Sequence, residues 1–550
     1  MNVASSLQKT CAEQVVEALV AHGTRTIFCL PGVQNDGFFN ALFDAGDAIR
    51  AVHVRHEQAA GYMALGAALA TGKPAVYSVV PGPGFLNTAT ALATAFSTNA
   101  PVFCLTGQIA SRLIDRGIGM LHEIPKQLEI LRTLTKWADR VSAPEEGAQK
   151  VNEAFERLAS GRPRPVGLEI PPDVLTAPVG PEKPAPRLYL DDPALDEDAL
   201  GRAARLLAEA RNPLILVGGG AQDAAAEVKL LAERLEAPVF AYRMGRGVLD
   251  SRHHLSLTLP AAHHFWKKCD VLLSVGARAQ ARQLNWGVDD DLKVIQIDID
   301  AEEMERTPTP AIPIVGRAKT VLQRLIDALE RVGSRPQSRA DEMGALKAKV
   351  ADELAALQPQ IQYLEAIRAA LPEEGIFLDE LTQVGYVSRI AMPVYGPRTF
   401  ISSGYQGTLG WGLATALGVK VARPEVPVVS VNGDGGFGYT LQELSTAVRH
   451  KIGVIAVVFS DGAYGNVRRM QQELYGNRVI ATDLVNPDWL KLADSFGVAG
   501  QRARSPAELE AALRRAIAAD APALIEVPCG PMADPWPHIE RGKVRSRKAA

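Results

Sequence analysis

Short apolar runs alternate with segments of helical periodicity along almost the whole 550-residue chain. The runs have the length of buried strands, and several end at glycine or proline, which terminate strands. A strand followed by a helix and another strand builds a parallel sheet covered by helices on both faces. The pattern therefore predicts the α/β class. The predicted strands are residues 26–30, 75–80, 101–105, 166–170, 213–217, 239–242, 271–275, 294–297, 376–378, 426–431, 454–459 and 523–527, and the predicted helices between them include 14–21, 57–71, 88–97, 147–159 and 441–449.

Two breaks divide this alternation into three units of ordinary domain size. Residues 171–186 are rich in proline, which removes backbone donors and disfavours helix at the preceding residue, so they are predicted to be a linker. Residues 333–359 are charged and alanine-rich and are predicted to be a second linker containing a helix. The predicted domains are residues 1–178, 190–335 and 355–535, each with a doubly wound parallel sheet, followed by a C-terminal tail at 536–550.

Composition and charge exclude several classes of protein. Hydrophobic residues make up 47% and charged residues 22% of the chain, which excludes disorder as its main state. A net charge of −3 gives no electrostatic case for nucleic acid. The apolar runs are too short to span a membrane, and the five cysteines form no C-x-x-C pair. We therefore expect a cytoplasmic protein without a disulfide scaffold, whose basic stretch 541–548 is a solvated, frayed terminus.

The most informative stretch is residues 428–438 (VVSVNGDGGFG), a β-branched strand that runs into a glycine-rich turn before a helix. Backbone N–H groups and a helix N-terminus favour an anion there. Asp434, inside the turn, would repel a phosphate unless a divalent cation lay between them. The next strand leads to Asp461, and neighbouring parallel strands bring their carboxyl ends to one edge of the sheet. Two carboxylates, a turn carbonyl and diphosphate oxygens suit Mg²⁺, although spacing alone leaves two unrelated loops as an alternative.

A Gly-Asp-Gly turn followed by a helix, a strand and a polar pair resembles the thiamine-diphosphate-binding motif. In that family the Asp, the second residue of the terminal pair and a carbonyl two positions later bind Mg²⁺, which implies Asp434, Asp461 and the carbonyl of Ala463. The family usually ends the motif in Asn-Asn, whereas this chain has Ser460-Asp461, which adds negative charge near the diphosphate. The cofactor-binding residues that the resemblance implies here are Gly433, Asp434, Gly435, Gly436, Asp461, Ala463, Tyr464 and Gly465.

The resemblance extends over nearly the whole chain, to the group of acetohydroxyacid synthases, benzaldehyde lyases and pyruvate oxidases, and is strongest to the synthases. It implies a pyrimidine-binding first domain, a central Rossmann-like domain and a diphosphate-binding third domain. Residues 54–62 (VRHEQAAGY) place Glu57 where the family has a catalytic glutamate that hydrogen-bonds the cofactor's pyrimidine. A helix-start glutamate stabilised by the helix dipole is the structural alternative. Further cofactor contacts are implied for Pro31, Gly32, Gly82, Asn87, the carbonyl of Gly407 and Leu409, the last as an apolar prop that bends the cofactor.

Five residues hold positions that resemble substrate-channel positions of the synthases. These are Leu121, His122, Asn466, Val467 and Met470. A lone histidine is more often structural than catalytic, so a role for His122 is a secondary expectation. The adjacent His pair of simple pyruvate decarboxylases is missing from its expected place near Gly117, which disfavours plain decarboxylation to an aldehyde.

The central domain resembles the flavin-binding domain of the synthases at residues 275–278 and 297–300. The glycine- and methionine-rich flavin loop is not evident, so FAD is compatible with the domain type but is not predicted. Histidine pairs at 253–254 and 263–264 have no supporting carboxylate or cysteine pattern, and exposed loop residues are expected there rather than metal ligands.

The resemblance implies a thiamine-diphosphate- and Mg²⁺-dependent enzyme that decarboxylates a 2-oxo acid and joins the fragment to a second carbonyl compound. Two alternatives stay open. One is a C–C lyase, hydrolase or 2-oxo acid decarboxylase with the same cofactor, because Tyr405 resembles the benzaldehyde lyase branch. The other is a non-catalytic cofactor-binding paralogue, which the Asp461 departure favours. Glu57 and the diphosphate motif lie in different domains that meet across subunits in the family, so a homodimer or homotetramer is implied, with neither nucleic acid nor membrane as a partner.

Overall fold

The computed structural model describes residues 8–180, 193–333 and 336–546. They form three six-stranded sheets in which every pair of neighbouring strands is parallel. Helices pack on the sheets and close three buried apolar clusters. The α/β class and the three parallel-sheet units predicted from the strand–helix alternation are therefore confirmed.

The first unit has the strand order β2-β1-β3-β4-β6-β5. Its strands are β1 (Thr26–Cys29), β2 (Arg50–His53), β3 (Ala75–Val79), β4 (Val102–Gly107), β5 (Trp137–Arg140) and β6 (Val166–Ile170). Its helices are α1 (Cys11–Ala21), α2 (Asp36–Ala45), α3 (Glu57–Thr71), α4 (Pro83–Asn87), α5 (Ala89–Thr98), α6 (Gln127–Leu134), α7 (Gly147–Ala159) and α8 (Pro172–Thr176).

The second unit has the strand order β12-β11-β10-β7-β8-β9. Its strands are β7 (Pro213–Val217), β8 (Val239–Ala241), β9 (Ser256–Leu257), β10 (Val271–Val275), β11 (Lys293–Asp298) and β12 (Ile312–Val315). Its helices are α9 (Glu197–Glu209), α10 (Ala225–Leu235), α11 (Leu259–Trp266), α12 (Gln280–Trp286) and α13 (Ala318–Val332), and α14 (Ala340–Leu354) connects it to the third unit.

The third unit has the strand order β14-β13-β15-β16-β18-β17. Its strands are β13 (Ile376–Asp379), β14 (Phe400–Ile401), β15 (Val428–Gly433), β16 (Val454–Ser460), β17 (Ala499–Arg502) and β18 (Ala523–Pro528). Its helices are α15 (Gln360–Ala370), α16 (Gln383–Ala391), α17 (Gly412–Ala422), α18 (Asp434–Phe437), α19 (Leu444–His450), α20 (Gly465–Leu474), α21 (Trp489–Ser495), α22 (Pro506–Ala519) and α23 (Trp536–Ile539).

Each sheet contains a point at which the strand order reverses. In the first sheet β2 is added on one side of β1 and β3 on the other, so the reversal lies between β1 and β3. In the third sheet the corresponding point lies between β13 and β15. The connections leave the sheet in opposite directions there, and open a crevice at the carboxyl ends of the strands where ligands bind in such folds.

The predicted strands all exist, with ends shifted by up to two residues, but the prediction missed strands at sheet edges. The missed strands β2 and β17 end their sheets on one side and expose most of their residues. An edge strand needs only one apolar face, so it lacks the continuous apolar run that marks a central parallel strand. Their existence is decided by pairing with a neighbour.

The proline-rich segment predicted to be a linker is in part a folded element of the first unit. Residues 172–176 form α8, whose Val174 and Leu175 are buried in the core of that unit. The N–H of Cys11 donates to the carbonyl of Ala177 at 3.0 Å, which holds the segment against α1. Proline starts this helix because the first helical turn needs no N–H partner. Residues 181–186 lie outside the described residues.

The C-terminal stretch predicted to be frayed is packed against the middle unit, so that prediction is wrong for residues 541–545. The Arg545 guanidinium is buried, bonds Asp289 at 2.6 and 2.7 Å, and also reaches the carbonyls of Trp266 and Cys269. Arg541 bonds Glu353 at 2.6 Å. A buried ion pair orders the segment although its composition suggested a solvated tail.

The histidine pairs are also more ordered than expected. His263 is buried in α11, and its Nε2 donates to the carbonyl of Gly542 at 2.9 Å. Its neighbour His264 and the pair at 253–254 contact the carboxylates of Glu353, Glu233 and Glu236. The prediction of exposed loop histidines is therefore wrong for His263. Across the described part of the chain, no helix is both long and apolar enough to cross a bilayer.

The first and third units are held together by the close packing of α3 on α17, two helices built mainly of small residues. A side chain at Gly66 would overlap the carbonyl oxygen of Thr415, and one at Gly418 would overlap the carbonyl oxygen of Met63. Glycine therefore lets the two backbones touch. The resulting apolar cluster runs without a break through both units.

Replacing Gly418 by alanine should destabilise the protein, because its methyl group would meet backbone atoms that cannot rotate away. Overpacking of this kind costs about 1–3 kcal/mol, which calorimetric unfolding measures as a lower Tm. The matched control is Gly344→Ala in α14, where nothing lies within 4 Å of the new methyl group. That change should stabilise the helix by roughly 0.5–1 kcal/mol. Equal shifts for both variants would show that the α3–α17 contact does not require glycine.

Candidate active site

Two groups of predicted site residues lie at the reversal points of the first and third sheets. In the first sheet, Pro31 and Gly32 follow β1 and Gly82 follows β3. A Cβ built on Gly32 would lie 2.5 Å from Cγ1 of Val80, so the two strand ends are in close contact. The fold therefore brings these three residues together although about fifty positions separate them in the sequence.

Glu57 is the first residue of α3 and is held by a partner from α4. Asn87 Nδ2 donates to Glu57 Oε2 at 3.0 Å. The other carboxylate oxygen, Oε1, lies 3.6 Å from a Cβ built on Gly84, so a larger residue there would crowd it. The side chain of His56 caps the helix by accepting from the N–H of Gln58. Glu57 is therefore partly buried, fixed on one side and open on the other.

His122 belongs to the same group. Its Nδ1 lies 3.0 Å from Oε1 of Gln34, and Gln34 Nε2 donates to the carbonyl of Leu121 at 3.2 Å. Gly82 has a φ of +59°, and a side chain there would overlap the carbonyl of His122. The loop carrying Leu121 and His122 thus folds onto the end of β3. Gln34, which orients the His122 ring, was missed because glutamine in a turn carries no signal of its own.

The second group centres on Asp434, which is buried at the end of β15. Its Oδ1 accepts from the N–H of Gly435 at 2.8 Å. Its Oδ2 accepts from the N–H of Gly462 at 2.7 Å and from Asn486 Nδ2 at 2.6 Å. Asn486 was missed by the sequence analysis, because it comes from a distant loop. These three donors fix the orientation of the Asp434 side chain.

Asp461 lies beside Asp434, as the pairing of β15 with β16 requires. Its Oδ1 accepts from the N–H of Ala463 at 3.1 Å, and a side chain at Gly465 would overlap Oδ2. Burial raises the pKa of Asp461, and the negative charge of Asp434 raises it further. A buried and a half-buried carboxylate that repel each other form a set of oxygens which a hard divalent cation would stabilise.

Close packing, rather than backbone strain, explains the glycines of the turn after β15. A Cβ built on Gly435 would lie 2.7 Å from Cε1 of Tyr464, and one on Gly436 would overlap Glu380. Gly433 is the residue before α18. A Cβ built on it would lie 3.4 Å from Cγ2 of Thr382. The turn therefore presents backbone rather than side chains at the crevice.

Glu380 is a second residue of this group that the sequence analysis missed, besides Asn486. It follows β13, is completely buried, and its Oε1 accepts from the N–H of Gly410 at 2.5 Å, while its Oε2 has no hydrogen-bond partner. Burial raises the pKa of Glu380 to about 8. A carboxyl group at the end of the strand next to β15 was the available signal, because neighbouring parallel strands share an edge.

Gly407 and Leu409 lie in the loop that leads into α17. Gly407 has a φ of +59°, which favours glycine, and Leu409 is partly buried. Between them, Thr408 Oγ1 lies 3.3 Å from Thr94 Oγ1 of α5. The loop therefore touches the first unit of the same chain. Tyr405, the residue that suggested the lyase branch, is exposed and stacks on the guanidinium of Arg278 in the middle unit at 4.9 Å.

The predicted substrate residues differ in their surroundings. Asn466 Oδ1 accepts from Trp536 Nε1 at 2.9 Å and from Arg469, which ties α20 to the C-terminal segment. Val467 and Met470 lie on α20 with 50% and 42% of their surface exposed, and Leu121 has 65%. Nothing in the described residues of one chain covers these apolar side chains.

The two groups stay separate within one chain. In the described residues, no hydrogen bond or ion pair joins Glu57, Asn87 or His122 to Asp434 or Asp461. The glycines 218–220 and Gly276, which were considered for flavin, meet at the reversal point of the middle sheet. The structure thus gives each sheet one crevice, and the predicted site residues occupy those of the first and third.

Sequence comparison decides the family. Residues 9–130 match the N-terminal TPP binding domain of thiamine pyrophosphate enzymes, 200–325 the central domain and 382–527 the C-terminal TPP binding domain. The chain belongs to the thiamine pyrophosphate enzymes. The three matched segments correspond to the three sheets, and the residues of the two groups lie in or beside the N-terminal and C-terminal matches.

Curated thiamine pyrophosphate enzymes resemble the chain over most of its length. A probable acetolactate synthase large subunit of Methanocaldococcus jannaschii is 34% identical, covering 96% of this chain and 93% of the relative. The acetolactate synthase isozyme 3 large subunit of Escherichia coli is 33% identical, covering 92% of each. A probable 2-ketoarginine decarboxylase of Pseudomonas aeruginosa is 31% identical, covering 94% of each. The resemblance to the thiamine-diphosphate family, and to its acetolactate synthases, is thereby confirmed.

Glu380 should make stability fall with rising pH. Its folded pKa of about 8 lies above its ordinary value of 4.5, so the folded state holds the proton more tightly. The contribution of Glu380 to the free energy of unfolding is complete below pH 4.5. It is lost as the pH rises to 8, at a rate of at most about 1.4 kcal/mol per pH unit. Urea unfolding at pH 5, 6, 7 and 8 should show a fall in the free energy of unfolding for the wild type and a shallower fall for Glu380→Gln, because the raised pKa of Asp461 still contributes in the variant.

The control for this titration is Glu302→Gln, which changes an exposed carboxyl group in the middle unit. Its unfolding free energy should follow the wild type at every pH. Parallel curves for the wild type and Glu380→Gln would show that Glu380 does not bind its proton more tightly in the folded protein.

Proposed function

We propose that the chain is a thiamine-diphosphate- and Mg²⁺-dependent enzyme that decarboxylates a 2-oxo acid and joins the fragment to a second carbonyl compound. The observation that supports this most is the pair Asp434 and Asp461 at the carboxyl ends of the neighbouring strands β15 and β16, in a chain of this family. A non-catalytic paralogue is disfavoured, because Glu57 also has a partner, Asn87, that orients it.

The residues of the third unit fit a diphosphate with its cation. Asp434, Asp461 and the carbonyl of Ala463 would hold Mg²⁺, which would offset the repulsion that raises the pKa of Asp461. The glycine-lined turn at residues 433–436 would receive the diphosphate on backbone N–H groups next to a helix start. Tyr464 and Gly465 would close the site from the side of α20.

The residues of the first unit fit the pyrimidine end of the cofactor. Thiamine diphosphate, when bound, supplies a carbon nucleophile and a cationic ring that accepts electrons from the bond being broken. Glu57 would exchange a proton with a pyrimidine ring nitrogen through Oε1, because Oε2 is engaged by Asn87. From the third unit, Leu409 would pack against the cofactor and the Gly407 carbonyl would accept from its pyrimidine amino group. Gly32 and Gly82 would allow close approach.

The substrate would lie between the loop of His122 and helix α20. The exposed Val467 and Met470 offer an apolar wall, and His122, oriented by Gln34, offers a group that can hold or move a proton. Leu121 and Asn466 would line the entrance. Relatives named as acetolactate synthases make pyruvate the first 2-oxo acid to test.

A decarboxylase or C–C lyase with the same cofactor is the second candidate. A relative named as a probable 2-ketoarginine decarboxylase covers 94% of the chain, between the 92% and 96% of the two synthases. The exposed Tyr405, stacked on Arg278, is the local feature shared with the lyase branch. This candidate predicts carbon dioxide or cleavage without a carboligated product.

The active site would be completed by a second copy of the chain, in a homodimer or homotetramer. Among the described residues no hydrogen bond or ion pair joins Glu57, Asn87 or His122 directly to Asp434 or Asp461. Apolar side chains beside both groups are exposed, including Leu86, Leu121, Val467 and Met470. Burying them against a partner would stabilise the assembly and exclude water from the reaction.

Purified protein supplied with thiamine diphosphate, Mg²⁺ and pyruvate should release carbon dioxide and form acetolactate. Glu57→Gln should lower this turnover at least a hundredfold, because an amide cannot exchange the proton, while circular dichroism and Tm stay close to wild type. Carbon dioxide with an aldehyde as the only organic product would support the decarboxylase instead. Wild-type turnover in Glu57→Gln would contradict the proposed role of Glu57.

Asp461→Asn should make cofactor binding less dependent on Mg²⁺. Without the metal, the Asp461 carboxylate repels the diphosphate, and the substitution removes that charge while keeping an oxygen ligand. Calorimetric titration with thiamine diphosphate gives the ratio of the Kd measured without Mg²⁺ to the Kd measured with Mg²⁺. This ratio should fall at least fivefold in the variant. A ratio that stays the same or rises would show that Asp461 does not lie beside the diphosphate.

A further inference from the structure

Glu443 contacts the backbone immediately before Glu57. Its Oε1 accepts from the N–H of His56 at 3.0 Å and from that of Arg55 at 3.2 Å, and its Oε2 lies 3.1 Å from the same Arg55 nitrogen. Thr446 Oγ1 donates to Oε2 at 2.6 Å. A side chain of the third unit therefore satisfies two N–H groups at the start of α3, which the helix itself leaves without partners.

The carboxyl group of Glu443 is completely buried. Within the described residues no lysine or arginine pairs with it, so its partners are two backbone N–H groups and one hydroxyl. Burial raises the pKa of Glu443, and these three donors offset only part of that rise. A buried carboxyl group is costly unless it is hydrogen-bonded, and all of these bonds hold one backbone segment in place.

A second contact holds the same segment at its other end. The His450 ring, at the end of α19, packs against the His53 ring with centroids 4.8 Å apart, and its Nε2 donates to the His53 carbonyl at 3.2 Å. Arg50 donates to the His450 carbonyl at 3.1 Å. Residues 443–450 thus lie along the whole connection from β2 to α3.

Glu443 is also joined to Asp434 by a short, regular stretch of chain. The Gly438 N–H donates to the Asp434 carbonyl at 3.0 Å, and the Glu443 N–H donates to the Thr440 carbonyl at 3.0 Å. The helix α18 and the 3-10 turn Leu441–Glu443 leave no flexible loop between them. The ten-residue stretch 434–443 therefore carries the candidate metal ligand at one end and the contact to the start of α3 at the other.

We propose that Glu443 is a positioning residue that fixes the start of α3 and with it the orientation of Glu57. This rests on the proposed function, because the position of Glu57 matters only if its carboxyl group reacts. Glu443 touches neither the cofactor nor the substrate sites proposed above, and it acts through the backbone of Arg55 and His56. Replacing one carboxylate oxygen of Glu443 by a group that cannot accept a hydrogen bond would loosen the first turn of α3. The carboxyl group of Glu57 would then no longer be held in its reactive orientation.

The test compares Glu443→Gln with Glu303→Gln, which changes another buried, hydrogen-bonded carboxyl group far from α3, in the middle unit. In Glu443→Gln one acceptor becomes an NH₂ group that faces the Arg55 N–H. Hydrogen exchange of the cofactor-free protein, followed by mass spectrometry on peptides spanning residues 50–60, should speed up at least tenfold. Glu303→Gln should exchange there as the wild type does.

Steady-state kinetics provide a second test of the proposal. With pyruvate, kcat of Glu443→Gln should fall at least tenfold with KM unchanged, and Thr446→Val, which keeps both backbone contacts, should lie between it and the wild type. Exchange at the wild-type rate, or faster exchange with unchanged kcat, overturns the proposal. A kcat loss equalled by Glu303→Gln overturns it as well. If the wild type turns over no 2-oxo acid, the proposed function fails and this role for Glu443 with it, whereas the exchange experiment still decides whether Glu443 holds the start of α3.

Discussion

The direct backbone contact between α3 and α17 is the constraint on which the rest of the structure depends. Gly66 and Gly418 let the two helices approach until each meets a carbonyl oxygen of the other. Once these helices are in register, the start of α3 must lie beside residues 443–450, and the loop before α17 must lie beside α5. Small residues in two helices thus determine where the carboxyl group of Glu57 lies relative to the third sheet.

Buried carboxyl groups are concentrated in the third unit. Asp379 forms an ion pair with the buried Arg389. Glu380, Glu443, Asp434 and Asp461 have no ion-pair partner among the described residues, and only hydrogen-bond donors reach them. A negative charge without a cation is costly in a low dielectric, so Asp434 and Asp461, at adjacent strand ends, lie where a divalent cation has most to stabilise. The chemistry proposed for the site uses this imbalance.

Local sequence predicted the central strands, because strands buried on both faces need long apolar runs. It predicted α3 at its observed bounds, and it placed Asp434 and Asp461 at adjacent strand ends. It failed for edge strands such as β2, for the folded segment of α8 and for the packed Arg545. Each of these is decided by a partner distant in the chain, which periodicity and composition cannot represent.

The sequence by itself determined the fold class, the family and the residue types of the two half-sites, because strand–helix alternation and a Gly-Asp-Gly turn are local patterns. The tertiary structure decided which groups surround those residues. Asn486 reaches Asp434 from fifty-two positions away, Glu443 reaches the residues before Glu57 from nearly four hundred, and Glu380 becomes buried only when β13 pairs with β15. The physical reason is that hydrogen bonds and burial depend on distances in space, which a linear pattern does not contain.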